Sequence, residues 1–369
     1  MMKRVLIRGC IGNKNFGDDL LIYAISLAMT QVSDKCDYYF LAENIKYLDN
    51  IVDDIKIVKS CELKGKFDAI IYAGGTQFAS FKNKTDRSFP AIKRLLYYIQ
   101  NPGILCLRLL NKLGLITFSY KKIIFVGIGV GPFYKKDNYY NSTIQLLQSA
   151  EILIVRDLLS CRICEENKIK YILGSDLVYS IPLYFWDKYK NNNHRNSRIT
   201  SVAIIFRDWK FTDDDGKFIH SIVELTKYHD ITFFSFADYA DQECYQYLVA
   251  NNFNVKQWEP NVMSLDSFMN ELQKCDLFIT ARYHGAVVAT LMNKPFITIG
   301  IEPKLEMIAE LFEMPCWHYP YDISECMGYI KKIQGEYTQI QERIELIISM
   351  EHKKAYEMVE RLHESILKI

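Results

Sequence analysis

The stretch DLFITARYHGAVVATLMNKPFITIGIEPK, Asp276 to Lys304, reads as a strand, a turn, a helix of small residues and a second strand. Short β-rich runs separated by helical segments are the grammar of a parallel sheet covered by helices. The same grammar extends upstream through TSVAIIF from Thr200 and DITFFSF from Asp230. It recurs in the first half as RVLIRG from Arg4, a helix over Asp18 to Gln31, DYYFLA around Tyr38 and DAIIYA from Asp68. KIIFVGIG from Lys122, a helix near Asn141 to Ala150, EILIVRD from Glu151 and YILGSD from Tyr171 complete that half. Between the halves lies the polar stretch Lys188 to Ser197, with three consecutive asparagines, which is the natural linker. Glu336 to Ile369 has apolar residues at helical spacing and no proline, and is expected to form a helical tail. The expected fold is therefore α/β, with two Rossmann-like doubly wound parallel-sheet domains facing a cleft. The spans are 1–187, a linker at 188–197, 198–335, and the tail at 336–369.

The bulk composition agrees. A chain of 369 residues, 49% hydrophobic and 24% charged, has the make-up of an ordinary folded protein with room for two cores. A net charge of +1 argues against a general nucleic-acid binder, which needs a basic excess over a face or groove. Ten scattered cysteines fit a reducing compartment. Cys161 and Cys164 form a lone Cys-x-x-Cys inside a helical stretch, without the second pair that a zinc site requires. The N-terminus runs directly into a strand, so no secretion signal is expected. The most apolar segment, Gly103 to Ser119, is interrupted by Arg108 and Lys112, so no membrane span is expected and the location is cytoplasmic.

In open α/β sheets ligands collect where strands end at their carboxyl edge, so the loops there carry the chemistry. The first, Gly9 to Asp19, holds glycines at 9, 12 and 17, which miss the dinucleotide-binding spacing. Asp18 within it is open to two roles, a helix N-cap or a proton carrier at a cleft. The second, Gly127 to Pro132, reads as a flexible turn that ends a strand and lets backbone approach a ligand. Near it, Arg156 is suited to an anion, and Asp157 to capping the next helix. The third places Arg207 at the end of a strand. The fourth is the opening stretch, where Arg282 and His284 meet a helix N-terminus and the next strand ends in Glu302-Pro-Lys304. An arginine, an imidazole and an ammonium at neighbouring strand ends make an anion site. Asp213 to Gly216 reads as a turn with no matching metal-ligand cluster, and no metal is expected.

Taken together, NFGDD from Asn15, the GIGVGP run, IVRDLLS, Gly174-Ser-Asp176 and above all ARYHGAVVATLMNKPFITIGIEPK resemble the polysaccharide pyruvyltransferase family. The likeness spans nearly the whole chain to about Pro315, and its specific part is the Arg-x-His turn, small-residue helix, strand and Pro-Lys. It implies a GT-B-like enzyme that moves the enolpyruvyl unit of phosphoenolpyruvate onto two hydroxyls of a sugar, forming a pyruvate ketal. Two departures stand out: Ala73-Gly-Gly-Thr-Gln-Phe78 where many members carry three glycines and a serine, and Tyr283 where leucine is usual.

The resemblance makes His284 and Asp18 the acid/base candidates. Arg207, Arg282, Tyr283, Lys304 and Arg156 become the donor-binding set, and Asn15, Gly17, Gly75 and Gly129 the acceptor or loop contacts. No cofactor is implied beyond the donor itself. Lys82 to Lys122 carries nine basic residues against one acidic, with aromatics and leucines between them, a composition suited to an anionic membrane surface that presents a lipid-linked acceptor. Two other readings fit the same loops: a GT-B glycosyltransferase using a nucleotide sugar, and a non-catalytic glycan-binding relative.

Overall fold

The computed structural model describes residues 2–43, 46–52, 56–80, 118–190, 199–208 and 216–369. They form two compact units. The first comprises Met1–Asn13, Leu21–Leu177 and Ala355–Ile369, and the second Lys14–Leu20 with Val178–Lys354.

The first unit is built on β1 (Lys3–Arg8), β2 (Cys36–Leu41), β3 (Ile57–Val58), β4 (Gly65–Ala73), β5 (Thr76–Ser80), β6 (Phe118–Phe133), β7 (Ile152–Val155) and β8 (Ile172–Leu173). Its sheet runs β3-β2-β1-β4-β6-β7-β8, with β5 on β6, and its pairs are parallel. Helices α1 (Phe16–Thr30), α2 (Asn138–Gln148) and α3 (Leu158–Glu166) fall between strands. Ile70, Phe125 and Leu153 from the strands pack with Ile144 and Leu147 of α2 and Cys164 of α3 in one apolar core. Burial pushes the Cys164 thiol up to about 12, which makes it an inert packing group.

The glycine run at Gly127 to Pro132 differs from its sequence reading. It does not end the strand: β6 continues to Phe133 because β5 offers it a fresh partner, pairing Thr76 with Gly129 and Phe78 with Val130. The register of β6 against β7 skips between Phe125 and Ile128, and Gly127, at φ 61°, absorbs the irregularity.

The second unit contains β9 (Ser201–Phe206), β10 (Asp230–Ser235), β11 (Val255–Gln257), β12 (Leu277–Thr280), β13 (Phe296–Ile299) and β14 (Cys316–Trp317). The parallel order β11-β10-β9-β12-β13-β14 turns back on itself between β9 and β12, the switch point at which such sheets open a ligand crevice. Its helices are α4 (Leu183–Asp187), α5 (Lys217–Glu224), α6 (Gln242–Ala250), α7 (Leu265–Leu272), α8 (Tyr283–Leu291), α9 (Pro303–Leu311) and α10 (Ile323–Gly335). Helix α8 is buried on every side from Gly285 to Leu291, as its small, apolar sequence requires.

The division between units also differs from the sequence boundaries. Residues just after Leu177 belong with the second unit, where Tyr179 Oη meets Thr290 Oγ1 at 3.1 Å and the Tyr189 hydroxyl donates to Asp266. The tail is one helix, α11 (Tyr337–Leu367), and it is shared. His352 bonds the Tyr179 carbonyl at 2.7 Å in the second unit, and His363 bonds the Ala28 carbonyl at 2.7 Å in the first. Residues 191–197 of the expected linker, Asp213 to Asp215, and most of the basic stretch from Lys82 lie outside the described residues. Among the described residues no helix is long and apolar enough to cross a membrane.

The start of α1 is bound into the second unit by aromatic packing. The Phe16 ring, fully buried, lies edge-on to Phe236 and Phe268, each at 4.8 Å, and to Trp258 at 5.3 Å. Trp258 in turn donates its indole N–H to the buried Asp19 carboxylate at 2.7 Å. Phe16→Ala is expected to cost about 3–5 kcal/mol in urea unfolding, the range for emptying an aromatic core position; a loss under about 1 kcal/mol would show that this cluster does not hold the helix start.

Candidate functional site

The second unit brings its charged groups to the carboxyl ends of β9, β10, β12 and β13. Arg207 follows β9 directly and donates to Glu302, which follows β13 and is the N-cap residue of α9. Lys304, in the first turn of α9, reaches the same carboxylate at 2.6 Å. Arg282 follows β12 as the N-cap residue of α8, with its backbone N–H and carbonyl both tied to Thr280 Oγ1, and its Nη2 donates to Asp241. Glu302 is 4% exposed, Asp241 0% and Arg282 8%, so these pairs stand largely out of water.

The groups act on one another's protons. Burial lowers the Arg207 guanidinium's hold on its proton, Glu302 opposes this, and the like charge of neighbouring Arg282 adds to the lowering. Burial alone would raise the Glu302 carboxyl, but Lys304 and then Arg207 outweigh it and hold it below its ordinary value. Burial raises the Asp241 carboxyl, with Arg282 opposing. Arg282 Nε is buried without a hydrogen-bond partner. An unsatisfied buried donor on a guanidinium is a costly feature that a bound acceptor would relieve.

Helix α8 starts with Tyr283 and His284, both half-buried, whose rings meet edge-on at 5.5 Å. His284 lies against the first turn of α1, since a Cβ on Gly17 would overlap its imidazole at Nδ1 and Cγ. Only glycine permits that approach. The turn is fixed by Asn15, whose side-chain oxygen accepts from Gly17 N at 3.0 Å and whose carbonyl accepts from Asp19 N at 2.8 Å. Asn15 is thus the capping residue, one of the two roles open to Asp18; Asp18 sits inside the turn, half-buried, one residue beyond Gly17. Phe16 N bonds the Phe236 carbonyl at 2.9 Å and Asn15 bridges Ala237, which joins this turn to the loop after β10.

Asn15, Gly17, Asp18, Arg207, Arg282, Tyr283, His284 and Lys304 therefore belong to one unit. Gly75, Gly129 and Arg156 belong to the other, where they form a group of their own: Gly129 N bonds the Gly75 carbonyl at 2.8 Å, and Arg156 reaches Asp176 at 2.6 Å and Thr76 Oγ1 at 2.8 Å. Arg156 and Asp176 are almost fully buried, so this pair ties the ends of β7 and β8 together. Asp157 caps α3, accepting from Ser160 N at 2.8 Å. Sequence reading missed Asp241 and Glu302. Glu302 stands beside Lys304 in the motif, but a search for cations passes over it; Asp241 lies at the end of a loop whose sequence carries no motif. Among the described residues no group of three or more His, Cys, Asp or Glu is placed to hold a metal ion.

Residues 15–303 match the family model for polysaccharide pyruvyl transferase. No curated protein matches the chain in sequence. Among solved structures, HepE of Anabaena in complex with UDP is similar at a TM-score of 0.58 and 10% identity, with 100% of each chain covered. A glycosyltransferase of Rickettsia africae is similar at 0.53 and 12% identity, covering 100% of this chain and 99% of its own. These likenesses establish the fold, a GT-B-like pair of parallel-sheet α/β domains.

Because the Glu302 carboxyl is held below its ordinary value of 4.5, its pairing contributes stability that is complete above that pH and is lost as pH falls through the folded-state value. Glu302→Gln is expected to be less stable than the parent by about 3 kcal/mol at pH 7, with the gap closing in acid. Urea titrations across pH 3 to 7 measure it; a gap independent of pH would mean the pairing is not what Glu302 contributes.

Proposed function

Because the chain belongs to the polysaccharide pyruvyl transferase family, we propose that it transfers the enolpyruvyl unit of phosphoenolpyruvate to two hydroxyls of a sugar in a surface polysaccharide or its lipid-linked precursor. The observation that carries this reading is the cation group at the switch point: Arg207, Arg282 and Lys304 on neighbouring strand ends, with a buried Arg282 donor left unsatisfied. A small donor bearing both a carboxylate and a phosphate is the chemistry such a group suits, since guanidinium forks bind either anion in bidentate fashion. The reaction takes its donor from phosphoenolpyruvate and needs no cofactor.

The balance of the reaction assigns the work. The methylene carbon of the donor gains a proton, and the first sugar hydroxyl adds to the resulting cationic C2, losing its own proton. The C2–O bond to phosphate then breaks, the second hydroxyl adds and releases a proton, and that proton leaves with phosphate. His284 is the acid/base in this reading, because an imidazole exchanges protons near neutrality and stands beside the anion site. Asp18, in the turn that touches His284, is the second acid/base and orients sugar hydroxyls. Arg207 and Arg282 clamp the donor with Tyr283 flanking them, and Lys304 neutralises the departing phosphate. The proposed acceptor contacts in this unit are Asn15 and Gly17; Gly75 and Gly129, proposed as loop contacts, and Arg156, proposed for donor binding, lie together in the first unit.

The enzyme assay is phosphate release from phosphoenolpyruvate in the presence of a glycan acceptor. His284→Ala is expected to lower turnover by about 10²–10⁴-fold, and Arg282→Ala to raise the KM for the donor, with circular dichroism unchanged in both. Nucleotide release from a sugar nucleotide, with none of phosphate from phosphoenolpyruvate, would replace this reading by a glycosyltransferase. The basic composition of Lys82 to Lys122 supports a peripheral contact with the inner membrane face, where lipid-linked acceptors reside. Replacing Lys93, Arg94, Arg108 and Lys112 by Glu is expected to reduce co-sedimentation with anionic liposomes; unchanged co-sedimentation would remove the membrane contact.

A further inference from the structure

We infer that Asp241 is a positioning residue for the donor site: its carboxylate sets the direction of the Arg282 guanidinium and, through the loop after β10, the seat of the α1 turn that bears on His284. The inference rests on the reading that this site takes a phosphate- and carboxylate-bearing donor. Asp241 occupies the N-cap position of α6, where an aspartate ordinarily accepts from the first amides of its own helix. Here it makes no such bond. The Glu243 and Cys244 amides are taken instead by Asp208, at 2.6 Å and 2.9 Å. A second carboxylate thus performs the capping, and Asp241 is turned inward.

Its inward contacts form one connected set. Ala237 N donates to Oδ2 at 3.1 Å and Ser235 Oγ lies 3.3 Å from the same atom, while Arg282 Nη2 donates to Oδ1. Ala237 is the residue bridged by Asn15, and Phe236 accepts from Phe16 N. One fully buried carboxylate therefore fixes the Arg282 guanidinium on one oxygen and, on the other, the loop after β10 to which Asn15 and Phe16 are bonded. With Nη2 held by Asp241, the guanidinium cannot rotate, and Nε keeps a fixed direction for a ligand. Asp208 lies next to Arg207 in the chain, so the exchange of capping partners also anchors the strand end that carries the other arginine.

Calorimetric titration of the full chain with phosphoenolpyruvate, and separately with inorganic phosphate, tests the inference without requiring an acceptor. Asp241→Asn, which keeps the shape and removes the charge, is expected to weaken phosphoenolpyruvate binding about tenfold with a parent-like circular dichroism spectrum. Asp241→Glu keeps the charge but displaces the guanidinium by one methylene, and is expected to weaken binding as well, which covers the case in which the asparagine variant does not fold. In an Arg282→Gln background the Asp241→Asn change is expected to have no further effect on affinity, a non-additivity that a purely structural role would not produce. Parent-like affinity in either folded Asp241 variant, or full additivity in the double variant, overturns the positioning role while leaving the donor assignment standing. Absence of phosphoenolpyruvate binding by the parent chain overturns both.

Discussion

Two guanidinium groups side by side and partly out of water repel one another, and the second unit is arranged around that constraint. Asp241 answers it by pairing with Arg282, and Glu302 by pairing with Arg207 and Lys304. Burial of charge is tolerated when it is paired and hydrogen-bonded, and both carboxylates are. Pairing also fixes direction. Each arginine is held by a carboxylate rooted at a different strand end, so the group keeps its shape without a ligand, and an incoming anion need not assemble it.

The sheet order explains why these residues meet. β9 and β12 are neighbours although three α-helices and two strands of the described residues separate them in the chain, and the order reverses between them, which puts Arg207 and Arg282 at the switch point where such sheets bind ligands. Helix α8 starts there because Arg282 leaves the strand in extended conformation and Thr280 ties its backbone down. The imidazole of His284 then lies in the first turn, against the one position of α1 that lacks a side chain.

Much of this was legible in the sequence. The alternation of β-rich runs with helical segments gave both parallel sheets, and the Arg-x-His turn with its following Pro-Lys marked the cation group, because those signals are local and periodic. What was not legible depends on distant partners. The glycine run of β6 looks like a strand end until β5 is seen to pair with it, and two-residue strands such as β14 carry too little pattern to be read. The unit boundary after Leu177 and the sharing of α11 follow from which surfaces pack, which no composition shift announces. Asp241 was hidden for the same reason: its sequence position is that of an ordinary helix cap, and only the geometry shows Asp208 doing that work.

The most direct measurement of the account is mass spectrometry of surface glycans from cells with and without this protein. The account requires a pyruvate ketal, released by mild acid, on glycans from the cells that have the protein and its absence from those that lack it. Glycans with identical ketal content in both, or differing instead by a whole sugar residue, would contradict it.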